Sequence, residues 1–442
     1  MIIKREKIIG YIFILFLILN GGTIIKILGI GAEFQLVTMF LFFIILILSG
    51  KFNYKKIVIS ILFFVPAFLL ISSIQLIKFN NISGIFSNQI FNFLTVIIIA
   101  ILVSVYFEKR KKDFPIILSN ILKILIIHAI LSSLVLTFFP TRTVLFTAVV
   151  NEESVNPYVG YAYIFFQRMH LSYLDTLGMG TFNIFNFEIF RAHGIFWEPG
   201  VFATYTNIFV FLNLFVLKKP TNVILGIMAI FLSWSSTGIA VLLLQISYFS
   251  FMTLKFNIKS ILKGFSGFIL IVLIGWIIII NMDDKIYGDN SGSSAQRYID
   301  TMSAIEIVKE YPLIGIGVDF ELFNEKMSKA KPETGGVIGN QLALERVSRN
   351  GFSNSLLRIF VYFGLPLGIL LLLAFYKQDL IPKNKGLFAI INFICLSASP
   401  ILFLTFHFTF IINGIMNQLR ILGKKSKVVV KQIQKEKRIS LN

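Results

Sequence analysis

Charge is what this sequence has least of. Only 14% of its 442 residues are Asp, Glu, Lys or Arg, while 56% are hydrophobic. A soluble domain is nearer a quarter charged, so the composition excludes an ordinary water-soluble protein and points to an integral membrane protein. Cysteine is almost missing: Cys395 stands alone in an apolar run. That excludes a disulfide framework within the chain and any cysteine cluster for metal. No His/Asp/Glu cluster has metal-ligand spacing either, so neither a bound metal nor a cofactor is expected. Acids are few, 22 against 41 Lys and Arg, which leaves a net charge of +19.

Long apolar runs are what the chain does have. Spans are expected near 8–28, 34–49, 57–77, 90–107, 115–139, 196–217, 222–233, 238–254, 264–280, 355–376, 387–397 and 401–417. The N-terminus (Lys4, Arg5, Lys7, then apolar residues) resembles a signal peptide, but no small-residue cleavage site follows, so it reads as a retained first helix. Three of the runs fall short of the roughly 20 residues that cross a bilayer. The stretch 222–254 is too long for one helix and breaks at Trp234-Ser-Ser-Thr-Gly238, with lysines before and after it. The stretch 387–417 behaves alike, breaking at Ser397-Ala-Ser-Pro400. Two crossings in each keep the flanking lysines on one side. The expected fold is therefore an all-α polytopic integral membrane protein of about 12 spans. It reads as a single transmembrane helical domain over 1–442 with both termini cytoplasmic.

Charge distribution supports that topology. The segments expected inside (1–7, 50–56, 108–113, 218–221, 255–263, 377–385 and 418–442) hold 26 Lys and Arg and five acids. This is the positive-inside asymmetry, and it accounts for the high charge with no need for nucleic acid. The basic tail 418–442 is an orientation anchor that can also attract anionic lipid.

Two large loops then fall on the outer face, 140–195 and 281–354. The first is rich in aromatics (Tyr158, Tyr161, Tyr163, Phe165, Phe166, Tyr173), which suit either the interfacial belt or stacking on sugar rings. It ends in Arg191-Ala-His-Gly-Ile-Phe-Trp-Glu-Pro-Gly200, leading straight into a span. The second holds 11 acids and 8 Lys and Arg. Its apolar residues Tyr298, Met302, Ile305 and Val308 recur at helical spacing, predicting an amphipathic helix over 294–310. Pro312 stops that helix, and Gly315 and Gly317 permit a tight backbone path beyond it. Loops this long are usually functional or disordered, and a helix with a stop signal argues for function.

Three blocks resemble the O-antigen polymerase (Wzy-type) and ligase superfamily of bacterial membrane glycosyltransferases. They are Arg191-x-x-Gly-Ile-Phe-x-Glu-Pro entering a span, an Arg upstream of Tyr311-Pro-Leu-Ile-Gly-Ile-Gly317, and Asn354-Ser-Leu-Leu-Arg-Ile-Phe-Val-Tyr-Phe-Gly-Leu-Pro-Leu-Gly368. They occur in the family's order, and the resemblance covers about 190–370. It implies a metal-independent glycosyltransferase on the outer face of the bacterial cytoplasmic membrane, acting on undecaprenyl-diphosphate-linked oligosaccharides. A polymerase of this kind moves a growing glycan from its lipid diphosphate onto a hydroxyl of a fresh lipid-linked repeat, building O-antigen or capsule. A chain-length regulator and a flippase are candidate partners.

The chemistry assigns roles. Arg191, Arg297 and Arg358 are candidates to hold the diphosphate leaving group, because guanidinium gives paired, charge-assisted hydrogen bonds to phosphate. Each has a plainer reading as an interfacial anchor, or as a partner of Glu188 or Asp300. Glu198 is the first candidate for general base, Asp319 the second and His193 the third. Glu198 can equally be a helix N-terminal carboxylate that favours the dipole. Trp197 and Asn354 are candidate substrate contacts. His128 and His407 are isolated within spans and read as structural.

Two departures from the family pattern stand out. Ligases carry a histidine before the Asn of the third block, where this chain has Ser353. The family often has an arginine at the short hairpin, where this chain has Ser236. The first favours polymerase over ligase; the second puts a role for the 235–238 turn in doubt. A lipid-linked oligosaccharide flippase is the rival from another class, but no internal repeat of the transporter kind is visible. The intramembrane cations it offers are Lys123 and Arg358.

Overall fold

The computed structural model describes residues 5–49, 54–79, 88–139, 143–151, 154–168, 181–184, 187–253, 292–318, 322–323, 325–326 and 354–421. The chain is mostly helical. The helices are α1 (Arg5–Leu19), α2 (Ile24–Ile27), α3 (Gly31–Leu48), α4 (Tyr54–Lys78), α5 (Asn88–Phe107) and α6 (Asp113–Phe138). After a β-rich segment come α7 (Pro199–Phe211, prolonged by a π turn Leu212–Val216), α8 (Pro220–Ser233), α9 (Ser236–Thr253) and α10 (Gly292–Glu310). Then follow α11 (Ser355–Lys377), α12 (Lys385–Leu396) and α13 (405–421). Each expected span overlaps helix except 264–280, which lies outside the described residues, as does the tail beyond 421.

Six of the described helices are long and apolar enough to cross a membrane: α3, α4, α5, α6, α7 with its π turn, and α11. Their burial separates periphery from centre. Only 17% of α3 and 28% of α4 is buried, against 72% of α5 and 83% of α7. The outward faces of α3 and α4 present Val37, Phe40, Ile44, Ile47, Leu62, Phe63 and Leu70 to the surroundings. A patch of that size is a liability in water and a requirement in lipid. The centre is joined by interhelical hydrogen bonds, which water does not compete for there. Asn207 of α7 donates to the Gly238 carbonyl at 3.0 Å, and Gln245 of α9 donates to Asn207 Oδ1 at 2.8 Å. Asn213 reaches Ser119 of α6 at 2.9 Å, and Asn222 reaches Asn213 at 2.9 Å.

At one end of the bundle, segments expected inside meet through ion pairs. Arg110 bonds Glu6 at 3.1 Å, Arg420 bonds Asp379 at 3.0 Å, and Lys56 and Lys111 pair with Glu108 and Asp379. The ends of α1, α4, α5, α11 and α13 therefore lie together. The first span is shorter than expected: 8–28 is interrupted after Leu19 at Asn20-Gly-Gly-Thr23, where Gly22 takes φ +106.

The first large loop departs from an all-α reading. It contains a three-stranded antiparallel sheet, β1 (Thr143–Asn151), β2 (Ser154–Tyr161) and β3 (Phe165–Arg168). A hairpin of β4 (Thr181–Ile184) with β5 (Phe187–Phe190) follows. The run of Tyr, Phe and Val there is β-favouring, and Ala162 and Tyr163 make the β2–β3 turn at φ 51 and 58. β5 docks on α6, where Phe190 N donates to Thr137 Oγ1 at 3.0 Å.

The expected helix of the second loop is present as α10, ending at Glu310. Beyond it the chain locks onto a break in α11, where Gly364 adopts φ 71, ψ 174. Ile316 N donates to Val361 O at 2.9 Å, Gly317 N to Tyr362 O at 3.0 Å, and Leu365 N to Pro312 O at 2.7 Å. A Cβ on Gly315 would sit 2.5 Å from Val361 O and 2.7 Å from Gly364 N, so the two backbones touch. Gln75 of α4 closes the lock by donating to the carbonyls of Ile314 and Tyr362. The Pro-Leu-Ile-Gly-Ile-Gly block thus fixes α10 to the bundle.

This lock predicts the cost of a methyl group. Gly364→Ala places a β-carbon on a backbone conformation worth about 1–3 kcal/mol of strain, and Ile314 N lies only 2.7 Å from it. Thermal unfolding read by thiol-dye labelling of the buried Cys395 should show a lower Tm. Gly386→Ala, which meets only Tyr376 at 3.9 Å, should leave the Tm unchanged.

Candidate active site

The site forms at the end of the bundle opposite the ion pairs, where several helices are interrupted. Residues 191–198 run between two of these interruptions. On one side Ile24 N donates to Ile195 O at 2.9 Å and Trp197 N to Gly22 O at 3.2 Å. Tyr205 of α7 donates to the Gly21 carbonyl at 2.7 Å. On the other side Ala192 N donates to Leu232 O at 2.8 Å. Arg191 bonds the last carbonyls of α8, Nε to Ser233 O at 3.0 Å and Nη2 to Trp234 O at 3.2 Å. Trp234 ends that helix in the left-handed conformation, φ 48, so these carbonyls have no helical N–H to meet.

Glu198 is the N-cap residue of α7, with Pro199 at the first helical position, yet its side chain makes no capping hydrogen bond. The carboxylate turns to other partners. Burial pushes it above the usual carboxylate range, and Arg297, Arg168, the Trp197 indole N–H and Arg191 pull against that shift. Guanidiniums from β3, from the 191–198 segment and from α10 therefore all lie near enough to act electrostatically on one carboxylate. Enclosure also lowers Arg191 to about 10, with Glu198 raising it and Arg297 lowering it.

Beside Glu198 lies a small pocket lined by Gly200, Thr204, Thr237, Gly238, Arg297 and Ser399. A Cβ on Gly200 would stand 3.6 Å from Glu198 Oε1 and 3.8 Å from Ser399 Oγ. The first turns of α7 and α9 both border this pocket, and N-terminal N–H groups favour anions. Ser235 begins α9 by accepting from Gly238 N at 3.2 Å. The 235–238 turn, left in doubt by Ser236, is thus at the pocket with Arg297. The second short hairpin is there too, through Ala398 and Ser399.

Of the residues singled out from the sequence, Arg191, Arg297, Glu198 and Trp197 come together here. His193 is adjacent but buried behind the segment, its Nδ1 bonded to the Phe196 carbonyl at 3.0 Å. Burial holds it at about 4, so the imidazole is neutral at physiological pH. Asn354 caps α11, its side chain accepting from Leu357 N at 3.0 Å. Arg358 is not in this cluster: its guanidinium lies 5.0 Å over the rings of Phe323 and Tyr362 and faces a separate cavity. Lys123 is exposed on α6. Asp319 and Ser353 lie outside the described residues.

Two contributors escaped the sequence reading. Arg168, at the end of β3, donates to the Trp197 carbonyl at 3.1 Å. No alternation in Phe165-Phe-Gln-Arg168 marks it, and its place at the site follows only once that stretch is taken as a strand. Lys26 was hidden inside the run 8–28, and its ammonium lies 5.1 Å over the Trp197 ring. A cation within an apolar run is itself a functional signal.

Arg191 and Arg297 differ in a testable way. Arg297 is exposed, whereas Arg191 binds carbonyls that would be orphaned without it. Arg191→Ala should cost about 1–3 kcal/mol of stability, seen as a lower Tm, whereas Arg297→Ala should not move Tm.

Residues 221–372 match the model of the O-antigen ligase family, a stretch that includes the 235–238 turn, Arg297, the Pro312–Gly317 block, Asn354 and Arg358. No curated protein and no solved structure matches the chain. The match of residues 221–372 to the O-antigen ligase family supports the O-antigen ligase and polymerase superfamily, within a multi-pass membrane protein.

Proposed function

We propose that this protein polymerises lipid-diphosphate-linked oligosaccharides into a surface polysaccharide, on the outer face of the cytoplasmic membrane. The observation that carries the reading is the Glu198 carboxylate under the influence of Arg168, Arg191 and Arg297. Glycosyl transfer from a lipid diphosphate needs a base for the acceptor hydroxyl and cations for the leaving group. The acceptor oxygen forms a bond to the anomeric carbon as the bond from that carbon to the phosphate oxygen breaks. Its electron pair leaves with the lipid diphosphate, and the hydroxyl proton passes to Glu198. Arg297, the guanidinium at the small pocket, takes up the charge on the leaving oxygen together with the first turns of α7 and α9. Preorganised donors of this type contribute about 10²–10³ in rate each. Arg168 and Arg191 hold the Glu198 segment and, with Arg297, favour the ionised form of its carboxylate against the effect of burial. His193 is a positioning residue that fixes the Phe196 carbonyl.

Ligation of finished glycan to another acceptor is the second reading, favoured by the match of residues 221–372 to the O-antigen ligase family. Both reactions use the same donor chemistry and differ in the acceptor. The serine at position 353 supports polymerase.

In cells carrying Arg297→Ala, with membrane expression confirmed, the surface glycan ladder should collapse to carriers bearing one repeat. Persistence of full-length ladders would reduce Arg297 to an anchor and remove the site assignment; loss of every repeat would favour ligase or flippase. Glu198→Gln should lower the transfer rate by about 10²–10⁴. In the parent protein, activity should rise with pH through a range above the ordinary carboxylate value, because the base works only when ionised and burial raises its pKa. The variant's residual activity should lack that rise.

A further inference from the structure

A second cavity of about 370 Å³ lies between α1, α2, α3, α5, α11 and the segment before α13. Lys26 and Arg358 both face it, with Gln35, Gln89 and Asn92 as polar neighbours. Among the described residues no carboxylate lines it. The Arg358 Nε atom is buried and has no hydrogen-bond partner among the described residues. The side chain of Lys26 is exposed at the cavity, where desolvation, followed by repulsion from Arg358, lowers its ammonium to about 8. Two cations thus repel each other across a polar hollow with nothing described there to neutralise them. An anion removes that repulsion, and guanidinium with ammonium and amide donors suits phosphate oxygens.

Consecutive residues of the Ser397–Pro400 break line the two hollows. Ala398 and Ser399 face the small pocket, and Pro400 faces the cavity. Trp197 donates to Glu198 while Lys26 stands over its ring. A polymerase binds two glycans, each with its own lipid diphosphate, and the acceptor reacts at a hydroxyl remote from its phosphate. Its phosphate therefore needs a hold away from the Glu198 centre. We propose that the cavity of Lys26 and Arg358 is that hold, an anion subsite for the phosphate of a second membrane-anchored lipid, the acceptor glycolipid. The assignment rests on the polymerase reading above.

The test is native mass spectrometry of the full-length protein in detergent, with undecaprenyl diphosphate as probe and phosphatidylglycerol as the comparison lipid. The unsubstituted chain should bind two molecules of undecaprenyl diphosphate. Lys26→Gln with Arg358→Gln should keep one, with the affinity for the second weakened on the order of tenfold or more. Arg297→Gln should lose the other, and Lys26→Arg should keep both. If the double variant does not fold, the single Lys26→Gln, in a four-residue helix with an exposed side chain, carries the same comparison. One bound lipid in the unsubstituted chain, lost in Arg297→Gln and kept in the cavity variants, would overturn the subsite and leave the polymerase reading standing. Equal loss of the same lipid in both sets would merge the two hollows into one site and also overturn it. Phosphatidylglycerol matching the diphosphate lipid at the cavity would make it a general lipid site. No binding by the unsubstituted chain would remove the lipid-diphosphate reading of function and the subsite with it.

Discussion

Every interruption of a helix in an apolar surrounding leaves N–H and carbonyl groups that water is not there to satisfy. This chain places its interruptions at one end and lets them satisfy one another. The Gly21–Thr23 turn bonds the 191–198 segment, which bonds the end of α8. The Ser397–Pro400 break is held by Ser355 at the start of α11, through the carbonyls of Leu396 and Ser399. The Pro312–Gly317 strap is bonded to the break at Gly364. The candidate site is the space between these mutually bonded breaks. Its geometry follows from backbone accounting before any side chain is considered.

Charge is divided between the two ends of the bundle by a different logic. At the basic end, acids and bases from separate loops pair in partly exposed positions, where each pair contributes little to stability but the ensemble fixes which ends meet. At the site end the cations outnumber the described acids that face them. Glu198 has several arginines around it, and Lys26 and Arg358 face a hollow with no described carboxylate. Arginines that exceed their acidic partners inside a protein are costly unless an anion arrives. That excess is what a diphosphate substrate would neutralise.

Much of this was legible in the residues. The apolar runs, the breaks at Trp234–Gly238 and Ser397–Pro400, the helix of the second loop and its stop at Pro312 all follow from local rules of length, periodicity and backbone freedom. Arg191, Trp197, Glu198 and Arg297 stood out in the sequence because guanidiniums suit a diphosphate and a carboxylate suits a base, within blocks that resemble a known superfamily. The sheets of 143–190 were not legible, since aromatic residues in a loop between spans serve an interface as readily as a strand. Arg168 was lost with them. Lys26 was absorbed into a span because the glycines after Asn20 were read as part of an apolar run and not as its end.

The sequence by itself determined the medium and the apolar runs, because hydrophobic length acts locally and additively. It also determined where helices must stop. The tertiary structure alone decided that Arg297, far along the chain from Glu198, stands at the same pocket, and that Arg358 does not. That difference depends on how α10 is strapped to Gly364 and how α11 is rotated about its axis. Such relations are set by backbone contacts between segments remote in sequence, and no local pattern records them.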